Sequence, residues 1–479
     1  RAVQRQTRPH LTTHNQNYQS SPPPSPPPPP PPPPPLLRDA ATWSVKHHAN
    51  ANAAAAHTLF PPAMPLQPSD HARAKAAISK WPMYSPTPLR ECPEIARLLG
   101  VDQLYCKDET NRLGVGSFKA LGGAFAIERL SKQADAPLGG VVTASAGNHG
   151  IGLAWGCAQL GLPCHVFFGA SVDERQAERV RSHGGTVHRV DGNYEASLEA
   201  ASVAAKENGW ALVQDVDWEG YQDVPKDIYS GYMVLAGEML QEPPVDRFGR
   251  RQSGSEQPAL THVLVNAGVG GLASAVCAHL WAACGPKRPR FIVVEPSASD
   301  CLLHSCRSGG ASALPEERMS ERTRQTGLDC KVPANLAWRV LSEGANDFVS
   351  VPDDCIDPCI ELLKSEAPDL LDLVWGSGID YENHFDYDDA IFDYEQLKEG
   401  WTIDAGESAV AGLGALVASA AQPELAKALG LDRTSRVGLV VCEGHPHRSR
   451  TTRLMNGIVR HRQIANRSGE VPGRRHKST

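Results

Sequence analysis

The stretch GVVTASAGNHGIGLAWGCAQLGLPCHVFFG, residues 140–169, decides the fold. It opens on a short β-branched run, turns through small residues, and continues as the Ala/Gly-rich apolar segment NHGIGLAWGCAQLG (148–161). It ends on a second β-branched and aromatic run, CHVFFG (164–169). A strand, a crossover helix and a parallel strand are the reading of that order. Outward from it the same alternation recurs. Strands are expected at 103–107, 140–145, 164–169, 186–190, 211–215, 261–267, 290–295, 348–351 and 437–442, with a further helix at 193–209. Several of these strands are continuously apolar, as when helices cover both faces of a parallel sheet. The chain from about Pro82 is therefore read as α/β.

The flanks read differently. Residues 1–56 contain ten consecutive prolines (26–35) and the stretch HHANANAAAAH, and are expected to be a disordered tail. Its polyproline is a candidate ligand for a proline-recognition domain. Arg1, Arg5 and Arg8, with no acidic residue before Asp39, resemble a transit peptide. Residues 245–258 read as a polar loop, about 366–400 as an acidic, aromatic insertion, and 461–479 as a basic tail. A net charge of −7 argues against nucleic acid or an anionic membrane as partner. No apolar run reaches the roughly 18 residues a membrane span needs. Twelve scattered cysteines without metal-ligand spacing suggest reduced thiols and a cytoplasmic protein without a metal site.

Three loops carry chemistry. Lys119, in RLGVGSFKALGGAFAIERL (112–130), follows the glycine turn Gly114/Gly116 and starts an apolar helix. A lysine desolvated there is expected to have a lowered pKa and to act as an amine nucleophile toward an aldehyde. The alternative is an ordinary solvated helix lysine. Ser145, Ala146, Gly147, Asn148 and His149 then join a buried strand to a helix, where free backbone N–H groups suit a carboxylate or phosphate. The alternative is an N-cap turn in which Asn148 satisfies its own backbone. Gly268, Val269, Gly270, Gly271 and Leu272 form a third strand-to-helix loop able to wrap a phosphate, or simply a tight turn.

In this order the three loops resemble the fold-type II pyridoxal-phosphate enzymes, whose members include threonine dehydratase, serine racemase and the tryptophan synthase β chain. KDETNRLGVGSFKALGG (107–123), VQDVDWEGYQDVP (213–225), GLDCKVPANLAW (327–338) and AGESAVAGLGAL (405–416) are most similar to the diaminopropionate ammonia-lyases. The resemblance spans about residues 82–460. It implies two open α/β lobes with pyridoxal 5'-phosphate in the cleft. The large lobe is 57–124 plus 229–460, and the small lobe is 125–228. It also implies a homodimer acting on a small amino-acid substrate.

By the same resemblance Lys119 carries the cofactor as a Schiff base, and residues 268–272 hold its phosphate. Asn148 meets the pyridine 3-oxygen, and Ser145 to His149 take the substrate carboxylate. Cys442, just after the last core strand, meets the ring nitrogen; read on its own it is a small buried strand-end residue. Asp215, at the end of a strand, is the base for the substrate α-proton or else a strand-end cap. His149 shapes the pocket and Glu407 contacts a substrate amine. One departure stands out: Ala146 occupies a place where the ammonia-lyases commonly carry aspartate, giving a loop typical of threonine dehydratases. The activity implied is α,β-elimination of 2,3-diaminopropionate. An L-serine/L-threonine dehydratase, a β-replacement synthase and a catalytically silent cofactor-binding protein remain alternatives.

Overall fold

The computed structural model describes residues 34–54, 59–145, 147–246, 259–364 and 403–445. The polyproline stretch before Pro34, most of the 245–258 loop, the acidic insertion and the basic tail lie outside these residues.

Eleven strands form two sheets among the described residues. The larger is ordered β1-β10-β9-β8-β11-β3-β2. Its strands are β1 (Lys46–Ala49), β2 (Leu89–Glu91), β3 (Gln103–Asp108), β8 (His262–Asn266), β9 (Arg290–Pro296), β10 (Asp347–Val351) and β11 (Arg436–Val441). The five inner strands run parallel, while β1 and β2 close the two edges antiparallel. The smaller sheet is wholly parallel, β6-β5-β4-β7, from β4 (Val141–Ala144), β5 (Cys164–Gly169), β6 (Thr186–Val190) and β7 (Ala211–Leu212). Strands β8 and β9 are almost entirely buried around the apolar runs 263–265 and 291–294, and β3 is buried although it carries Lys107 and Asp108.

Register brings the chemistry to one edge. In the larger sheet β8, β11 and β3 are neighbours, with Leu439 opposite both Leu264 and Cys106. All three run the same way, so the turns after Asn266, Val441 and Asp108 leave from one side. In the smaller sheet β4 and β7 are likewise adjacent, and Ser145 and Asp215 follow their ends. Ligands in open α/β sheets sit at such carboxyl ends.

Two expectations change. Residues 34–54 are folded rather than disordered. A short helix, Pro35–Ala40, buries Leu36 and Ala40, and Trp43 packs into the core. Strand β1 then extends the sheet, with His47 opposite Val349 and its ring bonded to the Asp347 carboxylate at 2.8 Å. Asn50 donates to the Ala345 carbonyl at 2.8 Å. Apolar anchors at Leu36 and Trp43 outweigh the low-complexity text on either side of them. The strand expected over 211–215 is shorter. It ends at Leu212, although Val213 still donates to the Val142 carbonyl at 2.9 Å. The Tyr221 hydroxyl interrupts it, donating to the Leu212 carbonyl and accepting from Gln214 N–H.

Candidate active site

Lys119 is the first residue of the helix Lys119–Gln133. The chain reaches it from β3 through a turn with positive φ at Leu113 (54°), Gly114 and Gly116. That turn is held from the far side of the sheet. Gly444 N–H donates to the Gly116 carbonyl, and Phe118 N–H to the Cys442 carbonyl. The extension of β11 thus lies directly beside Lys119.

The Lys119 ammonium meets Asp215, with Nζ 2.5 Å from Oδ2. The aromatic rings of Phe118 and Tyr232 stand 5.3 and 5.9 Å from Nζ. Burial works against the charged amine, but the Asp215 carboxylate and Tyr232 outweigh it and hold the lysine above its ordinary pKa. The lowered pKa expected from desolvation is therefore corrected: the fixed anion opposite wins. Burial also opposes the Asp215 carboxylate. His149 and Lys119 overcome it and hold the group well below the usual carboxylate range. Asp215 is anchored through its backbone, its carbonyl accepting from the Tyr229 hydroxyl at 2.9 Å.

His149 is buried under this pair. Its Nε2 donates to the Val213 carbonyl at 3.1 Å, which leaves Nδ1 3.8 Å from Asp215 Oδ2. Nδ1 has no hydrogen-bond partner. Burial pushes the His149 pKa down, against the pull of the Asp215 carboxylate. Asn148 begins the helix Asn148–Leu160 and does not cap it. The turn is made instead by Ser145, whose Oγ accepts from Gly147 N–H at 3.3 Å. The half-buried Asn148 amide lies between two charged side chains, donating through Nδ2 to Glu443 and accepting at Oδ1 from Arg179. Ala146 lies outside the described residues.

The glycine loop enters the helix Gly271–Cys284. Gly270 has φ +100°, and a Cβ there would also crowd Ala337. A Cβ at Gly268 would stand 2.9 Å from Cys330 Sγ, and one at Gly271 2.6 Å from the Tyr229 ring. The cradle therefore has no room for side chains on its wall. Val269 accepts from Ala334 N–H at 3.0 Å, and Leu272 is buried. The first N–H groups of a helix have no acceptor within it, and here they face the glycine turn. Cys442 is buried, its thiol directed at the Ser408 carbonyl at 3.5 Å and next to Asn266 Nδ2. Burial and the neighbouring Glu443 push its pKa far up, so it stays a neutral thiol.

Glu407 stands apart from this group. Its carboxylate is paired with Arg324 at 2.9 Å and is 39% exposed, so it is held at the surface. The sequence reading passed over Glu443, Arg179, Tyr229, Tyr232 and Cys330. Glu443 directly follows Cys442, and Cys330 lies inside the quoted GLDCKVP motif, so those two had a signal. Arg179 sits on an amphipathic helix with other arginines, and the tyrosines lie in a buried helix; nothing local marks them.

Three carboxyl-edge loops, a sterically bare glycine cradle and a lysine aimed between them suit a phosphorylated aldehyde. Ser117 Oγ, buried and without a partner like His149 Nδ1, leaves polar capacity beside the lysine. These features define an α/β enzyme that carries its cofactor on a lysine. Comparison with known proteins agrees. Residues 80–367 match the pyridoxal-phosphate dependent enzyme family. The diaminopropionate ammonia-lyase of Salmonella typhimurium is 31% identical over 298 residues, 58% of this chain and 71% of the relative. That of Escherichia coli is 32% identical over 286 residues, 56% of this chain and 69% of the relative. The crystal structure of the Escherichia coli enzyme in complex with D-serine has a TM-score of 0.67 and 26% identity, covering 88% of this chain and 98% of that one. The chain belongs to the pyridoxal-phosphate-dependent enzyme family, among the diaminopropionate ammonia-lyases, and its cofactor is pyridoxal 5'-phosphate.

Proposed function

We propose that this chain catalyses α,β-elimination of 2,3-diaminopropionate to pyruvate and ammonia. The observation that carries the reading is the Lys119–Asp215 pair at the carboxyl edges of the two sheets. The same family likeness supports it: the Escherichia coli relative has been solved in complex with an aminoacrylate-PLP azomethine reaction intermediate.

Bound between the lobes, pyridoxal phosphate supplies an electron sink conjugated to the substrate Cα. The amides at Gly268–Leu272 hold its phosphate, with the helix dipole behind them. Asn148 would donate to the ring 3-oxygen, and the Cys442 thiol would meet the ring nitrogen. Lys119 would hold the group covalently, give it up to the substrate amine and leave as a neutral amine facing Asp215, and take it back when the enamine is released. The attraction that depresses the Asp215 pKa weakens while burial remains, so the carboxylate becomes a better base. Asp215 takes the Cα proton, and the β-amine departs as ammonia after protonation. Hydrolysis of the remaining enamine consumes one water and yields pyruvate with the second ammonia.

The lobe of residues 125–228 carries Asp215 and the Ser145–His149 loop, and its approach to the larger lobe excludes water from the cleft. Glu407, held by Arg324, is left at the rim as a contact for the substrate amine only after that pair opens. The TASAGNH loop favours a second reading, in which L-serine or L-threonine is also accepted and the D-isomer is not, since Ala146 offers no second carboxylate. A homodimer in a reducing, cytoplasm-like compartment is proposed from the family likeness and the cysteine usage.

The test is turnover of L- and D-diaminopropionate, L-serine and L-threonine, scored as pyruvate and 2-oxobutyrate. Fastest release of pyruvate from L-diaminopropionate is the expected result. Faster 2-oxobutyrate formation from L-threonine would replace this reading with the dehydratase.

A further inference from the structure

Arg179 lies on the helix Glu174–Ser182 of the smaller lobe, and its orientation differs from that of the other two arginines there. Arg175 pairs with Asp173, and Arg181 with Glu174, both at the exposed surface. Arg179 makes no ion pair of contact distance among the described residues. Its Nη1 donates to Gln176 Oε1 at 3.1 Å, and its Nη2 donates to Asn148 Oδ1 at 3.3 Å. On the other side of the same amide, Asn148 Nδ2 donates to Glu443 Oε2. The second Glu443 oxygen accepts from Ser408 N–H at 3.3 Å.

This chain of contacts has a direction. A guanidinium can only donate and an ionised carboxylate can only accept. An asparagine amide between them therefore has one favourable orientation, with its oxygen toward Arg179 and its N–H groups toward Glu443 and the cleft. Without the arginine, nothing on that side distinguishes the two ends of the amide. A flipped Asn148 would present a carbonyl lone pair to whatever anion approached it. Burial makes both the guanidinium and the Glu443 carboxylate charge costly there, and each offsets part of the other's cost.

We propose that Arg179 is a positioning residue for the cofactor: it fixes the Asn148 amide with its N–H toward the ring 3-oxygen, and it balances the Glu443 charge beside that oxygen. The inference rests on the assignment of Asn148 to the 3-oxygen. In the structure Glu443 takes the donor that the 3-oxygen would use, so cofactor entry exchanges one anion for another at Asn148 Nδ2. Arg179 supplies the positive charge that makes either exchange partner acceptable.

The experiment uses the full chain with added pyridoxal phosphate and four variants: Arg179→Met, Arg179→Lys, Asn148→Ala, and Arg179→Met with Asn148→Ala. Cofactor affinity is measured by equilibrium dialysis, and the visible absorption band of the lysine-bound cofactor is recorded. Thermal unfolding without cofactor reports on folding. Arg179→Met should weaken cofactor binding about tenfold, the scale of one lost hydrogen bond to a charged group. It should also move part of the visible band into the near ultraviolet, as the 3-oxygen takes up a proton. Arg179→Lys should recover part of both, because the charge remains although the fork is lost. In the Asn148→Ala background, Arg179→Met should add less than about twofold, since coupled residues do not act additively.

If Asn148→Ala changes affinity and spectrum while Arg179→Met changes neither, the inference about Arg179 is wrong and the site assignment stands. If Asn148→Ala itself changes neither, the assignment of Asn148 fails, and the inference with it. A full tenfold loss from Arg179→Met on top of Asn148→Ala would also overturn it, because the arginine would then act elsewhere. Should Arg179→Met unfold, Arg179→Gln replaces it with the same expected losses.

Discussion

Lys119 Nζ and Asp215 Oδ2 are 2.5 Å apart although one follows β3 of the larger sheet and the other follows β7 of the smaller. Each sets the charge of the other: the carboxylate keeps the amine protonated, and the amine helps keep the carboxylate ionised. An amine must be neutral to attack an aldehyde, so Asp215 delays cofactor capture in exchange for a base already in place.

Asp215→Asn separates those two effects. Elimination from L-diaminopropionate should fall by a factor on the order of 10² or more, as when a positioned base is removed. Covalent cofactor capture should be no slower, because the lysine loses the anion that raises its pKa. Steady-state pyruvate formation and stopped-flow absorbance check the two halves. An unchanged elimination rate would remove Asp215 from the chemistry.

Lys119→Ala removes the amine and leaves the glycine cradle. Pyridoxal phosphate should still bind through its phosphate, but borohydride should no longer fix it to the chain, and elimination should fall below detection. Mass spectrometry of the reduced protein gives the answer. A mass increase equal to one cofactor in the variant would place the covalent bond on another lysine.

Much of this was legible in the text of the chain, and the exceptions share a cause. Strands β5 and β6 match their expected bounds, because each is a short run rich in β-branched or aromatic residues set between turn residues. Lys119, His149 and Asp215 meet, and Cys442 lies beside the Lys119 turn, because each sits near a strand end or a helix start. β1 and β2, three or four residues long at the sheet edges, escaped notice. So did the direction of the Lys119 pKa, which depends on a carboxylate 96 residues away in sequence. Arg179 was missed for the same reason: its meaning lies in a partner that only tertiary structure supplies.

Gly271→Ala tests the cradle. The added methyl would stand 2.6 Å from the Tyr229 ring, and that tyrosine also holds the Asp215 carbonyl. Overpacking of this kind costs roughly 1–3 kcal/mol. Cofactor affinity should fall by about 10- to 100-fold, with elimination falling further as Asp215 shifts. Dialysis against pyridoxal phosphate measures the first effect. Parent-like affinity would show that the cofactor phosphate lies elsewhere.

Behind the Lys119 turn lies a buried charge cluster. Glu238 accepts from Lys107 at 2.5 Å and from Arg112 at 2.6 Å, and Glu109 accepts from Arg112 at 2.7 Å. All four side chains are at most 3% exposed. Glu238→Gln leaves two buried cations facing a single carboxylate. Breaking a buried pair from one side typically costs about 3–5 kcal/mol. The urea midpoint should drop accordingly, at unchanged slope. A loss below about 1 kcal/mol would mean that water or relaxation compensates the cations.

The last expectation concerns acid. The His71 and His279 rings lie tilted against each other with centroids 4.0 Å apart, and His71 Nε2 is buried without a partner. Burial, then the nearby Lys75 charge, pushes His71 down to about 4. Burial, then the facing His71 and Lys75, pushes His279 down to about 3. In the unfolded chain both rings titrate near 6.5, so below that pH the unfolded state binds more protons than the folded one. Stability is therefore complete above about pH 6.5 and declines as pH falls toward 4 and then 3, the direction linkage requires when a folded-state pKa is depressed. His279→Gln removes one of the two rings. Thermal unfolding temperatures measured from pH 7.5 to 4.5 should fall less steeply for the variant than for the parent. Parallel lines for the two proteins would show that the histidine pair does not govern acid sensitivity, and would shift attention to the other buried histidines, His149 and His262, whose pKa values burial also lowers.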